Sequence, residues 1–508
     1  MTSECTLERP LSVVPASRLS LEGARREFGA LETWILSAEA MSLPLDAIER
    51  ETEVRGREVQ RLILEAHIRE RGTGDVGPAI EVVSSEKNGP RILRHRRIHE
   101  RKAVTIFGEV KVQRMAYSDR EEAAIHPMDE ALDLPERSFS YEVQRRIVKA
   151  AVQGPFDEAI ERLEESTGVR ISKRSAEDVV KDAAEDFEAF YEARAAPPPE
   201  SSGPILVGAV DGKGIPMVKP AEPASEPGIW KPTRRKKGEK ANKKRMATVA
   251  TVYTTEPRVR TPQDVIDSFF WKIKKEGQEP VRPEAKRVWA SLKEPKEAVI
   301  DAVREEMSRR DPLGVKRHVV LTDGERALQI LVAKKLGLTI TLILDFLHVL
   351  EKLWKAAYVF HAEGTEEATD WVWQRALRIL EGEVSQVVKG LRQMVTKRRL
   401  RGEARKTLLS VAGYFYRNRS RMRYDEYLRD GLPIASGAVE GACKNLVKDR
   451  MERSGMRWRE DPAEAMLKLR ATYLSDDFAE YWDFHVRHDQ ERLHPPASWR
   501  PLGVVVGK

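Results

Sequence analysis

The chain has 508 residues, 41% of them hydrophobic and 33% charged, with a formal net charge of +7; this is enough to bury more than one core and too apolar to stay unfolded. Two cysteines, Cys5 and Cys443, exclude a disulfide framework and a zinc ribbon. The longest apolar run, TITLILDFLHVL, is short and carries Asp345, and the start MTSECTLERPLSVV lacks the basic region and apolar core of a signal peptide, so a cytoplasmic protein is expected.

Residues 17–72 have apolar positions at helical spacing in LETWILSAEAM and VQRLILEAHI, which predicts packing or dimerisation helices. AVTIFGEVKVQRMAY alternates around Gly108-Glu109 and predicts a β-hairpin. FDEAIERLEESTGV followed by ISKRSAEDVVKDA has the rhythm of helix, turn at Gly168, and second helix capped by Ser172 or Ser175. A DNA-reading helix-turn-helix would set Lys173 and Arg174 beside phosphates. An ordinary helical hairpin gives the same pattern, and Glu177, Asp178, Asp182 and Glu185 favour it. AAPPPESSGP is a stiff polar linker. Beyond it the pattern becomes strand (ILVGAVDGKGI), basic loop, strand (RMATVATVYTT), strand (RHVVLTDGE), helix (RALQILVAKKLG), then a strand entering a helix (TITLILDFLHV). That order predicts an α/β fold with a mixed sheet. Residues 350–428 are helical without strand signals, and a final helix opens at SGAVEGACKNLVKDRMERSG. Cations concentrate at residues 231–245 and 397–429, marking surfaces for a polyanion. Trp354, Trp371 and Trp373 read as core rather than base-stacking residues.

Asp211 and Asp323 each end an apolar strand and precede a glycine. Strand ends of open α/β sheets are where ligands collect, although Asp-Gly is also a common turn dipeptide. Glu440 lies four residues after Ser436, a good N-cap, in the small apolar setting GAVEGAC. Lys444 and Lys448 then fall on the same α-helical face, with Arg450 just beyond, as candidate contacts to a DNA backbone; a salt-bridge stripe has the same spacing. Three carboxylates suit two Mg²⁺ ions, which take oxygen ligands and serve phosphodiester displacement.

The blocks VGAVDGKGI, VVLTDGERAL, LILDFLHVLEKLW and ASGAVEGACKNLVKDRMERSGMRW, in that order, resemble bacterial insertion-sequence DDE transposases of the ISKra group. The resemblance covers most of residues 90–480. It implies a multidomain chain of mixed α and α/β structure: an RNase H-like catalytic core with an all-helical insertion, preceded by helical and helix-turn-helix-like DNA-binding regions. It assigns Asp211, Asp323 and Glu440 as catalytic and metal-binding residues, with Mg²⁺, or Mn²⁺ in its place. Mutator-type relatives carry a C/D-x-x-H motif, matched here by Asp345 and His348, for which a structural or DNA-positioning role is expected. Some relatives have an N-terminal zinc module that two cysteines cannot build.

The organisation expected is residues 1–89, helical and a candidate for oligomerisation; 90–195, a hairpin plus helix-turn-helix-like DNA-binding region; and 196–204, linker. Then come 205–349, the first part of the core; 350–430, the insertion; 431–475, the final catalytic helix; and 476–508, a tail. The expected partners are the element's terminal inverted repeats and target DNA, met by a homo-oligomer of at least two copies in a bacterial cytoplasm, at the nucleoid when DNA-bound. A non-catalytic regulator derived from a transposase, or a nuclease that cuts without joining, shares the same residues.

Overall fold

The computed structural model describes residues 21–82, 91–119, 124–198, 202–218, 244–270, 281–337, 339–435, 437–495 and 498–502. They divide into two units, Met1–Phe190 with Ala479–Lys508, and Tyr191–Phe478. The basic loop at 219–243 and the proposed N-cap Ser436 lie outside the described residues.

In the first unit, helices Glu22–Ile35 and Leu45–Glu70 pack on each other. Strands β1 (Ala79–Val82) and β2 (Arg91–Leu93) precede a long hairpin of β3 (His95–Thr105) and β4 (Gly108–Ser118). Alternation places Val110 and Val112 on the buried face of β4, where Ile68 and Met128 close a small core over them. The expected helical hairpin is present. Phe156–Thr167 stops at Gly168, whose φ of 69° is left-handed, and the Ser172 side chain accepts the Ser175 N–H at 3.0 Å to open Lys173–Asp182. The stretch expected as a tail, 476–508, contains regular structure within its described part. Helix Phe478–Leu493 is followed by a strand, Trp499–Leu502, which pairs with β1.

The second unit is built on five strands: β5 (Ile205–Pro216), β6 (Lys244–Thr255), β7 (Glu284–Ser291), β8 (Arg317–Thr322) and β9 (Thr341–Leu344), in the order β7-β6-β5-β8-β9. β6 runs antiparallel to β5 and β7, while β8 and β9 run parallel to β5. This is the mixed sheet expected, with β7 added. Central strands buried on both faces need continuous apolar runs, and Ile205–Val210 and Val319–Thr322 are such runs. Helix Lys296–Arg310 packs on β5 and β6, and helix Glu460–Leu474 on β7. Between β9 and Gly437 the described residues form five α-helices: Phe346–Ala357, Glu366–Leu380, Val384–Lys397, Gly402–Asn418 and Tyr424–Arg429. The expected helical stretch is therefore helical, and its core includes Trp371, while Trp354 and Trp373 are half-buried. No helix among the described residues is long and apolar enough to cross a membrane.

Candidate active site

The parallel pairing of β5 with β8 ends at Val210↔Thr322, which sets Asp211 and Asp323 at the next position of two neighbouring strands. The two aspartates reach this point differently. β8 stops at Thr322, and Gly324 turns the chain away with a φ of 86°. β5 does not end at Asp211, contrary to expectation. It continues to Pro216, because Gly212-Lys213-Gly214 keeps pairing with Ala247, Thr248 and Met246 of β6. Asp211 is nevertheless freed on one side, since its parallel neighbour has stopped.

The Asp323 Oδ1 accepts the Glu325 N–H at 2.8 Å, and the Tyr414 hydroxyl donates to the Asp323 carbonyl at 2.6 Å. Burial raises the Asp323 carboxyl above the usual carboxylate range; the Glu325 N–H opposes this, and the negative charge of Asp211 adds to it. The Asp211 Oδ1 accepts the Gly212 N–H at 2.6 Å, and Oδ2 accepts the Cys443 thiol at 3.2 Å. Among the described residues neither aspartate has an ion pair with a lysine or arginine. Two adjacent half-buried acids with no lysine or arginine paired to them among the described residues are a donor set suited to a hard divalent metal.

The third neighbouring chain end is Asp345. It is buried, its N–H donates to the Thr322 carbonyl at 2.9 Å, and its carboxylate caps helix Phe346–Ala357 through the Leu347 N–H at 2.9 Å. His348, one turn on, has Nδ1 at 3.7 Å from the Asp345 carboxylate, too long for a hydrogen bond but close for an ion pair. Asp345 raises the imidazole to about 9 against the effect of burial, and Glu351 and Asp211 add to the rise. The surrounding carboxylates thus favour the charged form of His348 at the edge of the acids.

Glu440 lies in helix Gly437–Ala442, which contacts β5 and β6, but its side chain is outside the described residues. The helix then widens into a π turn at Cys443–Lys448. The even α-helical spacing expected for Glu440, Lys444 and Lys448 therefore does not hold across this segment. Both lysines are exposed. Arg450 is fully buried, with its guanidinium 5.0 Å from the Trp458 ring, so it lies inside rather than on the exposed face expected of it. Lys173 is exposed and paired with Asp157 at 2.9 Å, and Arg174 is exposed. Among the described residues no group of three or more His, Cys, Asp and Glu is arranged to hold a metal.

Two residues at this site have no signal of their own in the sequence. Cys443 reads as a small helix residue until the fold brings it to Asp211 from 232 positions away. Tyr414 belongs to the helical stretch and meets Asp323 from 91 positions away.

No family model matches the chain, and no curated protein matches it. A solved structure described as the Drosophila P element transposase strand transfer complex matches over 69% of this chain and 81% of that one, with 10% identity and a TM-score of 0.26. At that score the likeness does not define a common fold.

Proposed function

We propose that the chain is a DDE transposase that cuts the ends of an insertion sequence and joins them to target DNA. The observation carrying this is the placement of Asp211 and Asp323 side by side at the end of the β5–β8 pairing, unpaired with any lysine or arginine among the described residues and beside the helix of Glu440. The strand order β7-β6-β5-β8-β9, with three antiparallel strands followed by two parallel ones, supports an RNase H-like reading of the core. The helices after β9 would be its insertion.

Asp211, Asp323 and Glu440 would hold Mg²⁺ or Mn²⁺. When bound, the metal pair activates the attacking oxygen and stabilises the leaving one in phosphodiester exchange. The chain's own groups prepare that site. The Cys443 thiol fixes one oxygen of Asp211, the Tyr414 hydroxyl fixes the main chain of Asp323, and Asp345 draws His348 to the edge of these acids. Along the helical stretch, Arg399, Arg401, Arg405 and Arg417 are exposed without an acidic partner among the described residues. They suit backbone phosphates, which position DNA without reading it. Residues 90–195 remain the proposed reader of the inverted repeats, and paired ends require at least two copies.

The test is strand transfer of a labelled element end into a plasmid with Mg²⁺ or Mn²⁺. Asp211→Asn, Asp323→Asn and Glu440→Gln should each reduce cleavage and joining to background while end binding persists. End binding with no cleavage by the unmodified chain would instead leave a regulator, and cleavage without joining a nuclease.

A further inference from the structure

On the flank of the same helix that presents Gly441 and Ala442 rather than Cys443, the second unit contains a cavity of about 500 Å³. Gly441 and Asn445 both line it, while Cys443, roughly half a turn away, addresses Asp211. Among the described residues, three cations line this cavity, Arg258, Arg260 and Lys286, against one acid, Glu256. Its most buried walls are apolar, with Tyr253, Val288 and Ile434 nearly inaccessible to solvent.

Arg260 is the unusual member. One of its terminal nitrogens donates to the Leu432 carbonyl at 3.0 Å, but its Nε is buried with no hydrogen-bond partner among the described residues. Burial, with the neighbouring charge of Arg258, lowers the guanidinium to about 10. Lys286 has no ion pair among the described residues. Buried donors are almost always satisfied in folded proteins, and neither Arg260 nor Lys286 has an acidic partner among the described residues. Phosphate meets that need, because its oxygens accept from an arginine fork in pairs. A bare phosphate would leave most of the cavity empty. The volume and the mixture of apolar wall with a few charged groups suit a small organic ligand.

We infer that this cavity binds a nucleotide unit, its phosphate held by Arg260 and Lys286 and its ring laid against the apolar wall. The inference stands on the cavity and its charges and does not depend on the role proposed for the acids. Its consequence does bear on them, because an occupant would brace the helix that carries Glu440 from behind.

Isothermal titration of the full chain with deoxyadenosine monophosphate, inorganic phosphate and a short 5′-phosphorylated oligothymidylate tests this without any activity readout. Saturable binding of the mononucleotide is expected, weakened about tenfold by Lys286→Gln and by Arg260→Gln, the order of one charge-assisted hydrogen bond. Lys286 is half-buried and anchors nothing, so its variant should fold even if the Arg260 variant does not. Amide exchange at 437–445 should slow when the site is filled. Binding of the oligonucleotide alone, weakened by the same substitutions, would support the site and assign its phosphate to a DNA strand; mononucleotide competing with oligonucleotide assigns it to a free nucleotide. Saturation by none of the three probes, indifference to both substitutions, or inorganic phosphate binding as tightly as the mononucleotide would overturn the assignment.

Discussion

Gly212 and Gly324 each follow an aspartate, yet their backbones do different work. Gly324 sits at a φ of 86°, and an added Cβ would fall 2.8 Å from the Leu344 Cδ1 and closer still to the Tyr414 hydroxyl. A side chain there is strained in its own backbone and also displaces the group that holds the Asp323 carbonyl. Gly212 is extended, and its Cβ would meet only the flexible end of Met246 at 3.2 Å. Gly324→Ala should therefore cost about 1–3 kcal/mol of stability and slow cleavage. Gly212→Ala should do less of both, as thermal unfolding and single-turnover cleavage of the two variants would show. The Cys443 thiol makes a second residue-level case. It is a weak donor to Asp211, worth about 1 kcal/mol, so Cys443→Ala should slow cleavage about fivefold and Cys443→Ser should restore most of it. Equal rates for both variants would show that the thiol only fills space.

Strands β5 and β8 were legible because a strand covered on both faces must be apolar throughout, and so were the aspartates that follow their shared pairing. β7 was not, because its first half, Glu284-Ala285-Lys286-Arg287, is mostly charged, as an edge strand tolerates, and only Val288–Ser291 is buried. The continuation of β5 past Asp211 was hidden too, since Asp-Gly signals a turn and only the pairing with β6 keeps it extended. The π turn at Cys443–Lys448 leaves no mark in composition. It arises where Leu446 and Val447, both fully buried, anchor one part of the helix while Cys443 is held at Asp211. A π turn holds one residue more than the α-helical turn it replaces. Deleting exposed Lys444 should therefore close it to α geometry and leave residues 437–443 near their present orientation to Leu446 and Val447. Cleavage should persist with helicity by circular dichroism unchanged. Lost cleavage in a folded variant would mean that the extra residue is itself needed to position the helix of Glu440.

Across the whole molecule, the net charge of +7 spread over 508 residues makes the chain compatible with a polyanionic partner but does not locate one. Unit Tyr191–Phe478 is continuous, whereas the other unit is assembled from both ends of the chain, so its stability depends on how the C-terminal residues are tied in. Besides the pairing of Trp499–Leu502 with β1, that tie is Asp186, which is nearly inaccessible to solvent and accepts from His485 at 2.7 Å and from Arg492 at 2.5 Å. Burial alone would raise its carboxyl, but His485 and Arg492 outweigh burial and hold it at about 2. Because the folded value lies below the unfolded one, the carboxylate stabilises the fold above the unfolded pKa, and that contribution disappears as pH falls through the folded pKa. A depression of this size corresponds to about 2–3 kcal/mol, an upper figure because Arg492 is partly exposed. Asp186→Asn should therefore lower the stability of the first unit at pH 7 by about 2 kcal/mol, read as faster amide exchange in 478–493, while exchange in 191–478 is unchanged. The gap between variant and unmodified chain should persist down to about pH 4 and close toward pH 2, where the aspartate itself is protonated. A gap that stayed constant over that range would assign the loss to packing rather than to charge.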